Sequence, residues 1–172
     1  MRSVKWSKLK SHTESLFADS VRGRVRLHTT HYRGGASMIN GYERHSWITI
    51  DGRTILNMHR FLHEGDVYAD HYDPRRFALG IFTWWDMQMA TEQYLTMSID
   101  DAFATDNTLI RAFAVLDRRA GRRRLKQLHR DEEIPLIRYL LAFRRAATIE
   151  KNKARIVEWP TYSGGRPAEP IR

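Results

Sequence analysis

Apolar side chains recur at helical spacing at Trp6, Leu9, Leu16 and Phe17, with Lys5, Lys8 and Lys10 between them, so the chain is expected to open with a helix. From Arg22 to Arg33 the period shortens to two. Val25, Leu27, Thr29 and His31 alternate with Arg24, Arg26, His28 and Thr30, the pattern of a half-buried strand. Gly34-Gly35 opens a loop to about Tyr42, and His45–Ile50 reads as a second strand. Asp51-Gly52 follows directly, and Arg53–Phe61 reads as a third. Asp-Gly between two β-rich runs predicts a two-residue hairpin, because a type I′ turn needs positive φ at both central positions. A fourth strand is expected near Asp66–Tyr72, ended by Pro74.

After Thr83 the period lengthens again. Trp84, Met87, Thr91, Tyr94 and Leu95 share one helical face. Ser98 precedes Asp100 and Asp101, an N-cap followed by an acidic first turn that complements the helix dipole. Asp106 is the expected cap of another helix, with Leu109, Ala112, Phe113 and Leu116 at i, i+3, i+4 and i+7. Gly121 is a candidate break, Leu125 and Leu128 add a short stripe, and Pro135 suits the first turn of a last helix buried through Leu136, Leu140, Phe143 and Ala147. The predicted class is α+β: an N-terminal helix, an antiparallel sheet of three to four strands over about residues 22–72, and a helical C-terminal half packed on one face. Absent βαβ alternation argues against a Rossmann-type fold.

A length of 172 residues suits one domain, expected over residues 1–157, with a Pro/Gly-rich tail at 158–172. A chain this long buries about 70% of its unfolded surface and folds without staples. There are no cysteines, which excludes disulfides, thiolate metal sites and cysteine nucleophiles. The basic N-terminus lacks the apolar run of a secretory signal, and charged residues interrupt every candidate membrane span. A cytoplasmic protein without membrane contact is expected.

The formal net charge is +9. Residues 98–172 carry 16 basic and 10 acidic side chains against 13 and 10 in residues 1–97, so the excess leans to the helical half and favours anionic partners. It is densest at 118–130, where seven Arg or Lys occur without an acid. A helix running through Gly121 would align Arg118, Arg122, Lys126 and Arg130 as one i, i+4 row. Such like charges repel, and a bound anion would relieve them. A break at Gly121 would scatter the row, and Asp117 and Asp131-Glu132-Glu133 could neutralise part of it. The candidate anion-binding set is Arg118, Arg119, Arg122, Arg123, Lys126 and Arg130, extended by Arg144 and Arg145.

Three other groups carry chemistry-bearing types. His28, His31, His45, His59, His63 and His71, near Asp66, Asp70 and Asp73, include metal-ligand residues. His59-Arg-Phe-Leu-His63 lacks the glutamate of a zinc-protease helix, so the set reads as edge-strand and surface histidine, with no metal or other cofactor expected. Asp70-His71 and Asp100-Asp101 supply acid–base types, although a helix first turn accounts for the second pair. Trp84, Trp85, Met87, Met89 and Tyr94 concentrate apolar bulk that suits core, a ligand groove or a dimer patch.

The strings Trp6-Ser7-Lys8-Leu9, Phe17-Ala18-Asp19-Ser20, Gly23-Arg24-Val25, Trp47-Ile48-Thr49-Ile50-Asp51-Gly52, Tyr94-Leu95-Thr96-Met97-Ser98-Ile99-Asp100-Asp101-Ala102 and Ala114-Val115-Leu116-Asp117-Arg118-Arg119 resemble an uncharacterised family of small bacterial cytoplasmic proteins of unknown function. The resemblance spans about residues 4–146 and implies no activity, cofactor or catalytic residue. The chain is also similar in kind to orphan proteins carried by mobile gene cassettes. Together these readings favour a non-enzymatic binding protein with a basic surface for nucleic acid or an acidic protein, with self-association as a further partner expectation. The alternative is a small enzyme or small-molecule-binding protein whose pocket, between sheet and helices, is lined by Trp84, Trp85, His45, His59 and His71.

Overall fold

The computed structural model describes residues 5–33, 42–58 and 82–157. The expected loop at 34–41, the end of the third strand at 59–61, the fourth strand at 66–72 and the tail at 158–172 lie outside these residues. Helix α1 (Trp6–Leu16) leads into strands β1 (Val25–Arg33), β2 (Tyr42–Ile50) and β3 (Arg53–Met58), followed by helices α2 (Trp84–Tyr94), α3 (Ile99–Ala104), α4 (Thr108–Leu116), α5 (Arg122–Asp131) and α6 (Pro135–Val157). The chain is α+β, with an antiparallel sheet in the order β1-β2-β3.

β1 starts at Val25 rather than Arg22, because residues 18–24 form consecutive turns, with Arg22 N–H on the Ala18 carbonyl and Arg24 N–H on that of Val21. β2 begins at Tyr42, three residues before the expected start. The hairpin is the predicted one. Ile50 pairs with Arg53, and Asp51 and Gly52 adopt φ of 49° and 79°. Arg24 holds the turn with two bonds to Asp51, at 2.9 and 2.7 Å, and reaches Glu150 of α6 at 2.8 Å. A bulge falls between Ile48 and Thr49, whose partners are Leu56 and Thr54, so Ile55 is the extra residue on β3.

Alternation separates the two sheet faces. Val25, Leu27, Ile48, Ile50 and Met58 are buried in the same core as the helices. Arg26, His28, His45, Trp47 and Asn57 belong to the other face, as the pairs Leu27↔Ile48, His28↔Trp47 and Trp47↔Asn57 require. The outer edge of β1 is closed by α1, where Glu14 Oε1 accepts the Leu27 N–H at 2.8 Å.

The helices start where local chemistry puts them. Thr83 and Asp86 form a capping box on α2, and the Ser98 hydroxyl accepts the Asp101 N–H at the start of α3. α4 is capped by Asn107 rather than Asp106: Asn107 Oδ1 accepts the N–H groups of Leu109 and Ile110 at 3.0 and 3.2 Å. The carboxamide one residue later stands at the geometry that reaches both donors. Every residue of α4 except Arg111 is buried, which makes it the central helix. Gly121 is the N-cap of α5, so no helix runs through it, and Pro135 is the first residue of α6.

Candidate anion-binding surface

The basic segment is divided by the turn between α4 and α5. Arg118 N–H bonds the Leu16 carbonyl at 2.9 Å and Ala120 N–H bonds that of Asp117 at 3.1 Å, so Arg118 and Arg119 are not helical. The expected i, i+4 row is therefore broken at its first member. Arg122 and Lys126 keep that spacing on α5. Arg130 lies on α5, with its side chain outside the described residues.

Two of the expected cations, Arg119 and Arg144, and the neighbouring Arg124 are engaged within the fold. Arg119 grips Asp117 through Nε and Nη2 at 3.0 and 2.8 Å. Arg144 is buried and donates to the carbonyls of Val115, Asp117 and Ala120. Burial holds its pKa below the ordinary guanidinium value. Arg144 therefore closes the end of α4 and does not belong to a surface site. Arg124 pairs with Asp100 of α3 and lies 5.5 Å from the centre of the Phe103 ring. The acidic run divides too: Glu132 is buried and paired with Arg111 of α4, away from the exposed arginines.

Arg118, Arg122, Arg123 and Lys126 remain exposed, and among the described residues no ion pair engages them. The period of α5 explains the arrangement. Leu125 and Leu128 pack partly buried against the core, so the opposite face, centred on Arg123 with Arg122 and Lys126 beside it, points outward. The first turn of α5 is Arg122-Arg123-Arg124, without an acid, and its Gly121 cap supplies no side-chain acceptor. Three cations sit where the helix dipole favours anions, and each such placement costs about 0.3–1 kcal/mol where exposed. This local conflict is the kind an anionic partner resolves.

The expected Trp and His pocket is not assembled by the described residues. Trp84 and Trp85 meet edge to face at 5.3 Å, with Trp85 51% exposed at the start of α2. His45 stands on the outer face of the sheet, opposite to the helical core. His59 and His71 lie outside the described residues, as do His63, Asp66, Asp70 and Asp73. Among the described residues no group of three His, Asp or Glu gathers at metal-binding spacing. Among the described residues, a groove of about 440 Å³ between sheet and helices is lined by Ile55 and Leu56 of β3 and Pro135, Leu136 and Tyr139 of α6. The described lining is mostly apolar and, among the described residues, includes no carboxylate or imidazole, so it offers burial to a ligand.

One grouping on the outer sheet face was not legible in the sequence. His28 stacks on Trp47 with ring centres 4.8 Å apart and planes at 4°, and His45 lies 5.1 Å from Trp47 at 25°. The i, i+2 spacing of His45 and Trp47 already placed those two on one face. His28 could not be added, because the register of β1 on β2 is not set by a two-residue turn.

A family model matches residues 5–79 and 68–145, and the chain belongs to the family it describes, the SF0329 protein family. No curated protein and no solved structure matches the chain. No helix among the described residues is long and apolar enough to cross a membrane.

Proposed function

We propose that this member of the SF0329 protein family is a non-enzymatic binding protein whose α5 surface takes an anionic partner, nucleic acid in the first place. One observation carries the reading: the first turn of α5 is three consecutive arginines, set against the helix dipole, and Arg122 and Arg123 face outward with Lys126 and Arg118, none of these four in an ion pair among the described residues. Phosphates spaced along a strand would neutralise this cluster and release counterions. The net charge of +9 draws such a partner toward the surface from a distance. We take the protein to be bacterial and cytoplasmic and residues 1–157 to form a single domain of it, on the family resemblance and the composition.

The test is fluorescence anisotropy of a short labelled duplex titrated with the full chain at several salt concentrations. With these four cations engaged, log affinity falls with log salt at a slope of about −3 to −4. Arg122→Glu with Arg123→Glu weakens binding and flattens that slope. Absent binding at about 50 mM salt, or binding indifferent to salt, overturns the reading.

A second reading, small-ligand binding, is favoured by the 440 Å³ apolar groove beside Tyr139. An environment-sensitive apolar dye would report it, with Leu136→Glu abolishing the signal. A signal unchanged in that variant removes this reading.

A further inference from the structure

The outer face of the sheet carries a construction that the α5 surface does not explain. Three rings, His28, Trp47 and His45, are stacked across β1 and β2. Each is only half-buried, while Arg26, Thr54 and Asn57 around them are exposed. Apolar ring surface on a solvent-facing sheet layer is the unusual feature here, since polar side chains normally fill that layer.

The rings are also held in place. His28 Nε2 hydrogen-bonds Thr49 Oγ1 at 2.9 Å, and His45 Nε2 hydrogen-bonds Asn57 Oδ1. Each bond reaches the neighbouring strand, so the orientation of both imidazoles is fixed by the sheet. Among the described residues, Lys10 and Glu14 of α1 and Arg26 of β1 are the charged groups around His28. Glu14 balances one of the two cations, through contacts of 3.9 Å to Lys10 and 3.1 Å to Arg26. Among these described groups one positive charge is left over beside the stack. Burial, aided by Lys10, keeps His28 below its ordinary pKa, so at neutral pH it is an uncharged π surface.

We infer that the His28–Trp47–His45 stack is a platform for an unpaired base of a single-stranded nucleic acid, with Arg26 and Lys10 placed for its phosphates. The chemistry needs flat, pre-oriented rings on a sheet face, partial exposure and cations alongside. The described outer face has each of these. Stacking tolerates any base because every base has a π face, so the platform adds affinity without reading sequence. It stands independently of the α5 reading: α5 contacts phosphates of any strand, whereas the platform requires bases that are not paired.

The experiment compares a labelled twelve-nucleotide oligodeoxyadenylate with an abasic strand of equal length and charge, titrated with the full chain at fixed salt. The platform predicts at least about fivefold tighter binding of the strand that carries bases. Trp47→Ala removes that difference, and so does His45→Ala, a half-exposed site that keeps the fold should Trp47→Ala lose it. Arg122→Glu with Arg123→Glu weakens both strands equally and preserves the ratio. Equal binding of the two strands overturns the platform while leaving the α5 reading intact if binding remains salt-dependent. Discrimination that survives His45→Ala and Trp47→Ala also overturns it.

Discussion

Asp117, at 0% exposure, is bound by both the main chain and the side chain of Arg119: the Arg119 N–H reaches Oδ1 at 2.7 Å, and its Nε and Nη2 reach Oδ2 at 3.0 and 2.8 Å. Tyr94 of α2 donates its hydroxyl to the same Oδ2. The arrangement fixes the turn leaving α4 and engages Arg119 with Asp117. Burial alone would raise the pKa of Asp117; the side-chain bonds from Arg119 and Tyr94 outweigh it and hold the carboxyl below its ordinary value. Burial, then the bond to Asp117, pushes Tyr94 well above the usual phenol range, so it remains a donor at all working pH.

Asp117→Asn should therefore cost about 3 kcal/mol at pH 7, because Arg119 and Tyr94 lose an ionised acceptor in a buried place. Urea denaturation measures this. The sign of the pH dependence follows from a folded pKa below the unfolded value of about 4. The stabilisation is complete above that value and is lost as pH falls through the folded pKa. The Asn variant should lack this acid-side loss, and a wild-type difference that persists unchanged at pH 2 would contradict the assignment.

Arg144→Met keeps the apolar stem and deletes the donors to three carbonyls. Val115, Asp117 and Ala120 then have buried acceptors without this partner. A loss of about 2–4 kcal/mol is expected. Arg144→Lys should recover only part of it, since an ammonium cannot present the same fork. Thermal melts of the two variants should rank wild type, Lys, Met; equal melts for all three would show that the carbonyls find other partners.

Gly52→Ala isolates a backbone effect. A Cβ at Gly52 meets nothing within 4 Å, yet the residue holds φ of 79°. The cost should be about 1–2 kcal/mol from the left-handed conformation alone. Gly52→Asn should cost less, as asparagine tolerates that region better. An Ala variant as stable as wild type would mean the hairpin relaxes to another turn.

Charge reversal on α5 should separate stability from binding. Arg122→Glu and Arg123→Glu place acids at the positive end of the helix, so each should raise stability by about 0.3–1 kcal/mol. The same double variant is the one expected to lose anionic partners. Arg124→Glu should behave differently and destabilise, because Arg124 holds Asp100 and covers Phe103. Calorimetry beside anisotropy reads both properties, and a double variant that melts lower than wild type would count against an electrostatic conflict in the first turn.

The amino-acid sequence by itself determined the features whose cause lies within a few residues. Asp51-Gly52 dictated its turn because only certain residues accept two successive positive φ values. Ser98, Pro135 and Gly121 marked helix ends because their effect acts through the adjacent backbone. The alternation in β1 separated Val25 and Leu27 from Arg26 and His28 before any partner strand was known. Even locally the limit was visible: Asp106 and Asn107 are both capping types, and only the helix geometry chose the second. Tertiary structure decided what the charges and rings do. Arg119, Arg124 and Arg144 look like Arg122 and Arg123 in sequence. Asp100 lies 24 positions before Arg124, and the carbonyls bound by Arg144 come 24 to 29 positions before it. His28 likewise meets Trp47 only through the β1–β2 register. Solvation and pairing depend on which groups are brought within a few ångströms, and for these side chains the neighbours come from distant parts of the chain.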